Sequence, residues 1–497
     1  MRKTTNPIFL ALLGATLTAC GGASNEARTA ANAAPTPVSA SGEAVTRKTS
    51  SLYADALENL YKYDLENDWS KGHCHSVASA FEGANAEQGG KLSEAIFNAG
   101  LAHQRCGEEV EAVAHFRQSL AMNPKAHYAR VQVALDDYKK TGKLDTAITE
   151  LETAVRDAQF QNVAAVTQLA TFQAQRGGEN VVGECKSDRE CAKKNLQRAL
   201  AVDDGYMPAL NQLALYYYSD AKTKGNAKKG ASGKASAKGS APATVAVTKA
   251  NAQTLELAAL VCQQALAKNA RYAPVLNTTG LIQVELGQIN GAVQSFDAAS
   301  SLDPKFFEAH MNLGAVNLSF RGFKRAETAY RKAVALQPDS YEARLGLALA
   351  IRGLIDDVNF DANVAAVLAE LDECKRIDAQ RPDAYYNEGI LWQEYKAKSG
   401  GKDSVGALRK AQAILVSFRA KAEGRAEFAD AVRRAKDRCE DIDGIVAFFE
   451  MDVPPPPPSP GPAATPAPTP APAPTPAPAP AENPAPTDTP AVSGSAK

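Results

Sequence analysis

Two prolines, Pro304 and Pro338, stand 34 residues apart, and the segments they close share one residue order. The first runs Gly280, Gly287, Ala292, Phe296, Ala299, Pro304, and the second Gly314, Ala326, Tyr330, Ala333, Pro338. An earlier segment runs Asn98, Gly100, Gly107, Ala112, Phe116, Pro124. Self-similarity at this period marks a stacked repeat, in which a small unit buries its apolar face only against its neighbours. Gly and Ala at fixed points let two helices approach closely. An aromatic on the second helix fills the space toward the next unit, and the closing Asn-Pro or Asp-Pro stops the helix. Composition agrees, since the chain is rich in Ala, Leu and Lys, aromatics make up 7%, and strand-like Val/Ile/Thr runs are few. The expected fold class is all-α.

These positions resemble the tetratricopeptide repeat (TPR): Leu313-Gly314 on a first helix, then Ala326, Tyr330 and Ala333 on a second, then Pro338. Weaker copies follow the same plan. Residues 127–160 carry Gly142, Ala147, Leu151 and Ala154, and residues 162–204 carry Leu169, Ala170, Ala192, Leu196 and Ala199. Residues 207–270 place Cys262 where the aromatic belongs, a small core hydrophobe by default. Residues 341–382, and those after 382 with Asn387 and Gly389, are more degenerate. The resemblance covers residues 51–450 and implies a TPR helical-hairpin solenoid, a right-handed superhelix of about eight units whose outermost members serve as caps.

Both ends of the chain have other tasks. Arg2 and Lys3 precede a short apolar run from Ile8 to Leu13, too short for a permanent membrane span. The run ends in Leu17-Thr18-Ala19-Cys20-Gly21, which resembles the lipobox of bacterial lipoproteins. The resemblance implies removal of a signal peptide, residues 1–19, and covalent lipid on Cys20, with enough acyl chain for stable anchoring. Gly21 in place of Asp points to the outer membrane under the enteric sorting rule, with the chain facing the periplasm. Residues 20–50, poor in bulky apolar groups, are expected to be a lipidated flexible tether. Residues 451–497 form a Pro/Ala-rich tail, expected to be disordered and, as polyproline II from Pro454 onward, to reach roughly 130 Å.

One insert interrupts the array. Residues 220–250 hold Lys222, Lys224, Lys228, Lys229, Lys234, Lys238 and Lys249, with no acid after Asp220. It is expected as a cationic loop between the two helices of one repeat. It is either simply solvated or in contact with anionic lipid, peptidoglycan or an acidic partner.

The chain offers little chemistry. A net charge of −1 gives no general attraction to nucleic acid. Neither a Gly-x-Ser-x-Gly elbow nor a Gly-rich phosphate loop occurs, and only six histidines are present. His103, His115 and His310 fall within repeat hairpins as packing residues, so no catalytic residue and no enzyme activity are expected. His73-Cys74-His75 is the one local cluster of metal-ligand types, but three successive helical residues point about 100° apart and cannot converge on one ion. No metal and no cofactor are expected, the covalent lipid apart. Seven cysteines remain after Cys20. Cys185 and Cys191 are the best local disulfide pair because both lie in one irregular insert, and Cys74 is either a packing residue or the partner of Cys106.

In TPR arrays the first helix of each hairpin lines the concave groove. Carried onto this chain, that register assigns Asn277, Leu281, Val284 and Glu285 to the groove, then Met311, Ala315, Leu318 and Ser319, then Leu345, Leu349 and Arg352. The row is mainly apolar and lacks the Lys/Arg and Asn set that clamps a C-terminal carboxylate. An apolar helix or extended segment is the expected ligand, supplied by a partner protein or by the chain's own segment from Ile442 to Phe449. Lipobox, tether, array and Pro-rich tail together resemble the TPR lipoproteins of the myxobacterial adventurous gliding-motility (Glt) machinery. The resemblance implies a scaffold that binds envelope proteins of a multiprotein complex, with the membrane held through the lipid anchor and peptidoglycan a further partner. The alternatives are an outer-membrane protein or secretin assembly factor and a peptidoglycan-associated adaptor.

Overall fold

The computed structural model describes residues 38–39, 41–66, 68–179, 185–229, 249–397 and 404–450. Cys20, the signal segment and the Pro-rich tail lie outside these residues. Nineteen α-helices and two isolated β-bridges account for most of the described chain. No helix among the described residues is long and apolar enough to cross a membrane.

The helices pair in chain order. The first hairpins are α1 (Arg47–Glu66) with α2 (Lys71–Glu87), and α3 (Ser93–Arg105) with α4 (Glu109–Met122). Next come α5 (His127–Thr141) with α6 (Leu144–Asp157), and α7 (Val163–Arg176) with α8 (Asp188–Val202). The middle of the array holds α9 (Met207–Lys229) with α10 (Lys249–Lys268), and α11 (Ala273–Glu285) with α12 (Ile289–Leu302). The last hairpins are α13 (Phe307–Ser319) with α14 (Phe323–Leu336), α15 (Tyr341–Arg352) with α16 (Phe360–Ile377), and α17 (Asp383–Leu391) with α18 (Val405–Ala422). A final helix, α19 (Ala429–Glu450), closes the row. Packing is overwhelmingly between consecutive helices, so the protein is an all-α solenoid of helical hairpins.

Repeating residues explain the repeating geometry. A Cβ at Gly280 would lie 2.5 Å from the ring of Phe296, and one at Gly100 would lie 2.7 Å from that of Phe116. At Gly314 the obstacle is Tyr330, whose ring also presses on Gly346 of the following hairpin. Each missing side chain makes room for an aromatic of the second helix, which seals one unit against the next.

The turn after the second helix is built from a side chain. Asn123, Asp203, Asn269, Asp303 and Asp378 each accept, through a side-chain oxygen, the backbone N–H two residues on, at 2.9–3.0 Å. Such Asx turns mimic a backbone turn and stop the helix at the right place. Caps appear at other starts: Ser340 Oγ accepts from the N–H of Ala343 and Asn162 Oδ1 from that of Ala165.

The structure corrects three expectations. The array begins before residue 51, because Val45 and Thr49 are buried and α1 starts at Arg47. The backbone carbonyl of Ala44 accepts from Gln88 Nε2 at 2.9 Å, so the end of the supposed 20–50 tether is tied to the segment just after α2. The 220–250 insert is narrower than expected, since Ala- and Lys-rich ends extend α9 to Lys229 and start α10 at Lys249. Residues 230–248 fall outside the described residues. Finally, nine hairpins are present among the described residues rather than about eight units, because α1–α2 packs through Tyr53, Leu60, Val77 and Phe81 without the glycine signature.

Candidate partner-binding face

The residues assigned to the groove sit on three successive first helices. Leu281 and Val284 on α11 are half-buried against Ala292, Phe296 and Val316. Met311 and Leu318 on α13, with Leu345 on α15, are half-buried against the cluster around Tyr330, Leu347 and Ile351. Leu349 is half-buried on α15. Ala315 and Ser319 on α13 are exposed or partly so, and Ser319 Oγ donates to the Ala315 carbonyl at 2.9 Å. These side chains share surface with the core beneath while keeping part of it open, the state of an apolar face that can still bury more area.

Asn277 departs from its expected role. It is buried, and its Oδ1 accepts from Asn312 Nδ2 at 2.8 Å, so it joins α11 to α13 instead of facing a ligand. Arg352 does similar work further along: its Nη1 donates to Asn387 Oδ1 at 3.0 Å, linking α15 to α17. Its surroundings are dry enough that burial lowers the guanidinium pKa from its ordinary value. At the other end Glu285 accepts from Tyr218 and pairs with Lys222 at 3.2 Å. Lys222, expected in the cationic loop, is therefore a paired residue of α9.

The chain's own last helix does not cover this row. Ile442 and Val446 of α19 are buried with Leu408, Ala411, Leu415 and Phe418 of α18, at the end of the array. Ile445 and Phe448 stay largely exposed on the same helix.

The other candidate groups have structural partners. Cys74 and Cys106 form a disulfide, with Cα atoms 6.3 Å apart, and Cys185 and Cys191 form another, 5.4 Å apart. Cys262, Cys374 and Cys439 are free and buried. Burial pushes the Cys262 thiol up to about 11 and that of Cys374 up to about 12, so neither is a nucleophile at neutral pH. His73, Cys74 and His75 diverge: His73 stacks on Tyr63 with ring centres 4.1 Å apart, Cys74 enters the disulfide, and His75 reaches Glu108. His310 is buried, one ring nitrogen on the Pro304 carbonyl at 3.1 Å. A shallow cleft of about 630 Å³ lies between Pro338 and Arg381, but Arg381 there stacks 3.8 Å above the Tyr341 ring and pairs with Glu342.

Residues 280–319 match the TPR repeat family. That stretch is similar to a tetratricopeptide repeat. The matched stretch takes in the end of α11, all of α12 and all of α13, the helices that hold most of the apolar row. No relative among curated protein sequences matches the chain. Similar solved structures include a thermophilic TPR protein of Thermus thermophilus, at 22% identity and TM-score 0.36, over 46% of this chain and 100% of that one. PilF of Pseudomonas aeruginosa is similar at 18% identity and TM-score 0.38, over 55% of this chain and 96% of that one. A TPR protein of Parabacteroides merdae is similar at 15% identity and TM-score 0.34, over 64% and 98%.

Proposed function

We propose that the chain is a membrane-anchored TPR scaffold that holds protein partners in a bacterial envelope complex, with gliding-motility machinery as its setting. The observation that carries the binding role is the apolar row from Leu281 through Met311 and Leu318 to Leu349, half-buried on three successive first helices with part of its surface open. Its ligand is an apolar helix or extended segment of another protein. The anchor is lipid on Cys20, supported by the order Leu17, Ala19, Cys20, Gly21. The periplasmic face of the outer membrane is the proposed location.

Two measurements test this reading. Cross-linking in native cells, then affinity purification and mass spectrometry, should return a fixed set of envelope proteins that is lost with Leu281→Glu and Met311→Glu together. Recovery of only abundant outer-membrane clients would favour an assembly factor instead. Wall fragments alone would favour a peptidoglycan-associated adaptor and remove the gliding-machinery setting. Labelling with a palmitate analogue should mark the wild-type chain and spare Cys20→Ser. Equal labelling of both would end the anchor.

A further inference from the structure

Five of the six histidines lie between residues 73 and 127, and three of them meet across the first two hairpins. His75 on α2 places Nε2 3.1 Å from both carboxylate oxygens of Glu108, the residue that opens α4. His103, buried near the end of α3, places Nδ1 2.7 Å from Glu108 Oε2. The three ligand atoms all lie within 4.8 Å of one another. We infer that His75, His103 and Glu108 form a binding site for a divalent transition-metal ion such as zinc.

The donor set is the first argument. Two imidazoles and one carboxylate suit zinc and its neighbours in the first transition row, whereas calcium and magnesium prefer all-oxygen cages. Bonds of about 2.1 Å allow two ligands on one ion to lie no more than about 4.2 Å apart. The observed limit exceeds that by roughly half an ångström, which side-chain torsions can close without moving a helix. Hydrogen bonds already join both rings to this one carboxylate, so the three groups are held facing one another. Metal binding needs both rings neutral, each with its proton on the nitrogen away from the ion, and Glu108 ionised, so it weakens in acid.

Rigidity is the second argument, and it comes from outside the ligand set. The Cys74–Cys106 disulfide joins the residue before His75 to a residue two before Glu108 and three after His103. All three ligands thus hang from one covalent staple between α2 and the α3–α4 turn. His115 stacks on the His103 ring, centres 5.1 Å apart. It is itself held by Glu82 at 2.8 Å and the Glu111 carbonyl at 2.8 Å. Held groups of this kind fix ligand orientation in metal sites. Lys71, 4.0 Å from Glu108, also faces that carboxylate, and its side chain is mostly exposed and able to swing away. This site is independent of the apolar row.

The test uses the full chain, stripped with chelator and titrated with zinc by calorimetry, then with cobalt by absorption. One zinc per chain is expected. His75→Gln and Glu108→Gln should each weaken it at least about tenfold, with the helical melt unchanged. His75 is exposed, so its variant decides the matter should Glu108→Gln disturb folding. Failure of the wild type to bind zinc would overturn the site, as would equal affinity in the His75 variant. A sulfur-to-cobalt band would also overturn it, by placing the ion on the free cysteines.

Discussion

Arg321 takes the same left-handed backbone turn, φ 62°, that Gly287 takes at φ 74°, 34 residues earlier. The turns match bond for bond. The N–H of Gly287 donates to Val284 O and that of Gln288 to Gln283 O, while Arg321 donates to Leu318 O and Gly322 to Asn317 O. A residue with a Cβ is strained in that region, where glycine is at ease. Arg321→Gly should therefore stabilise the array by about 0.5–1 kcal/mol, less than the strain itself because glycine gains freedom in the unfolded chain. Urea unfolding followed by circular dichroism reads the shift, and a lower midpoint in the variant would contradict this account.

Gly280→Ala should act in the opposite direction. The new methyl would sit 2.5 Å from Phe296, whose ring is fully buried and has no room to retreat. Overpacking of this kind costs about 1–3 kcal/mol. Adding Phe296→Leu should recover part of the loss. If the double variant is less stable than the sum of the two single changes, the steric explanation fails.

Asp188→Asn tests the polar joint at the start of α8. Asp188 is buried and accepts two hydrogen bonds from Arg176 at 2.6 Å and one from the N–H of Gly178 at 2.7 Å. The guanidinium holds its carboxyl below the ordinary value. A group of lowered pKa contributes stability above its unfolded pKa of about 3.9 and loses it as pH falls through the folded value. The variant should lose about 1–3 kcal/mol at pH 7 and show a flatter fall in stability below pH ~4. An unchanged midpoint at both pH values would show that Arg176, which also pairs with Asp145, needs no partner in Asp188.

Two histidines should make the array sensitive to mild acid. Burial lowers the pKa of His127 and of His310. Neutral His127 accepts from Asn162 Nδ2 at 3.0 Å, a bond its protonated ring could not take. Both residues therefore contribute stability above the unfolded value of about 6.5, and that stability drains away as pH falls through the folded values. Thermal melts from pH 7 to pH 5 should show a falling midpoint, shallower in His310→Gln. Identical slopes in the two proteins would remove His310 as a cause.

Much of the fold is legible in the sequence because its determinants are local. Gly280 and Phe296, or Gly314 and Tyr330, lie 16 residues apart within one hairpin, so their complementarity repeats along the chain. The Asn and Asp turn residues are local in the same way. The start of the first hairpin carries no such signal, because Tyr53, Phe81 and their neighbours fill its seam without a glycine. Asn277 reads as a groove residue because register gives a position on a helix, and only packing shows that Asn312 has claimed its side chain.

The sequence alone determined the repeat, its period and the helical class, since each depends on spacings no longer than one unit. Tertiary structure alone decided which distant groups meet. His75 lies 28 residues from His103 and 33 from Glu108, and nothing in their spacing announces a shared site. They converge because α2 packs along α3 and the Cys74–Cys106 disulfide ties α2 to the turn that follows. Contact between neighbouring units is a property of the stacked solid, and the linear chain carries no period for it.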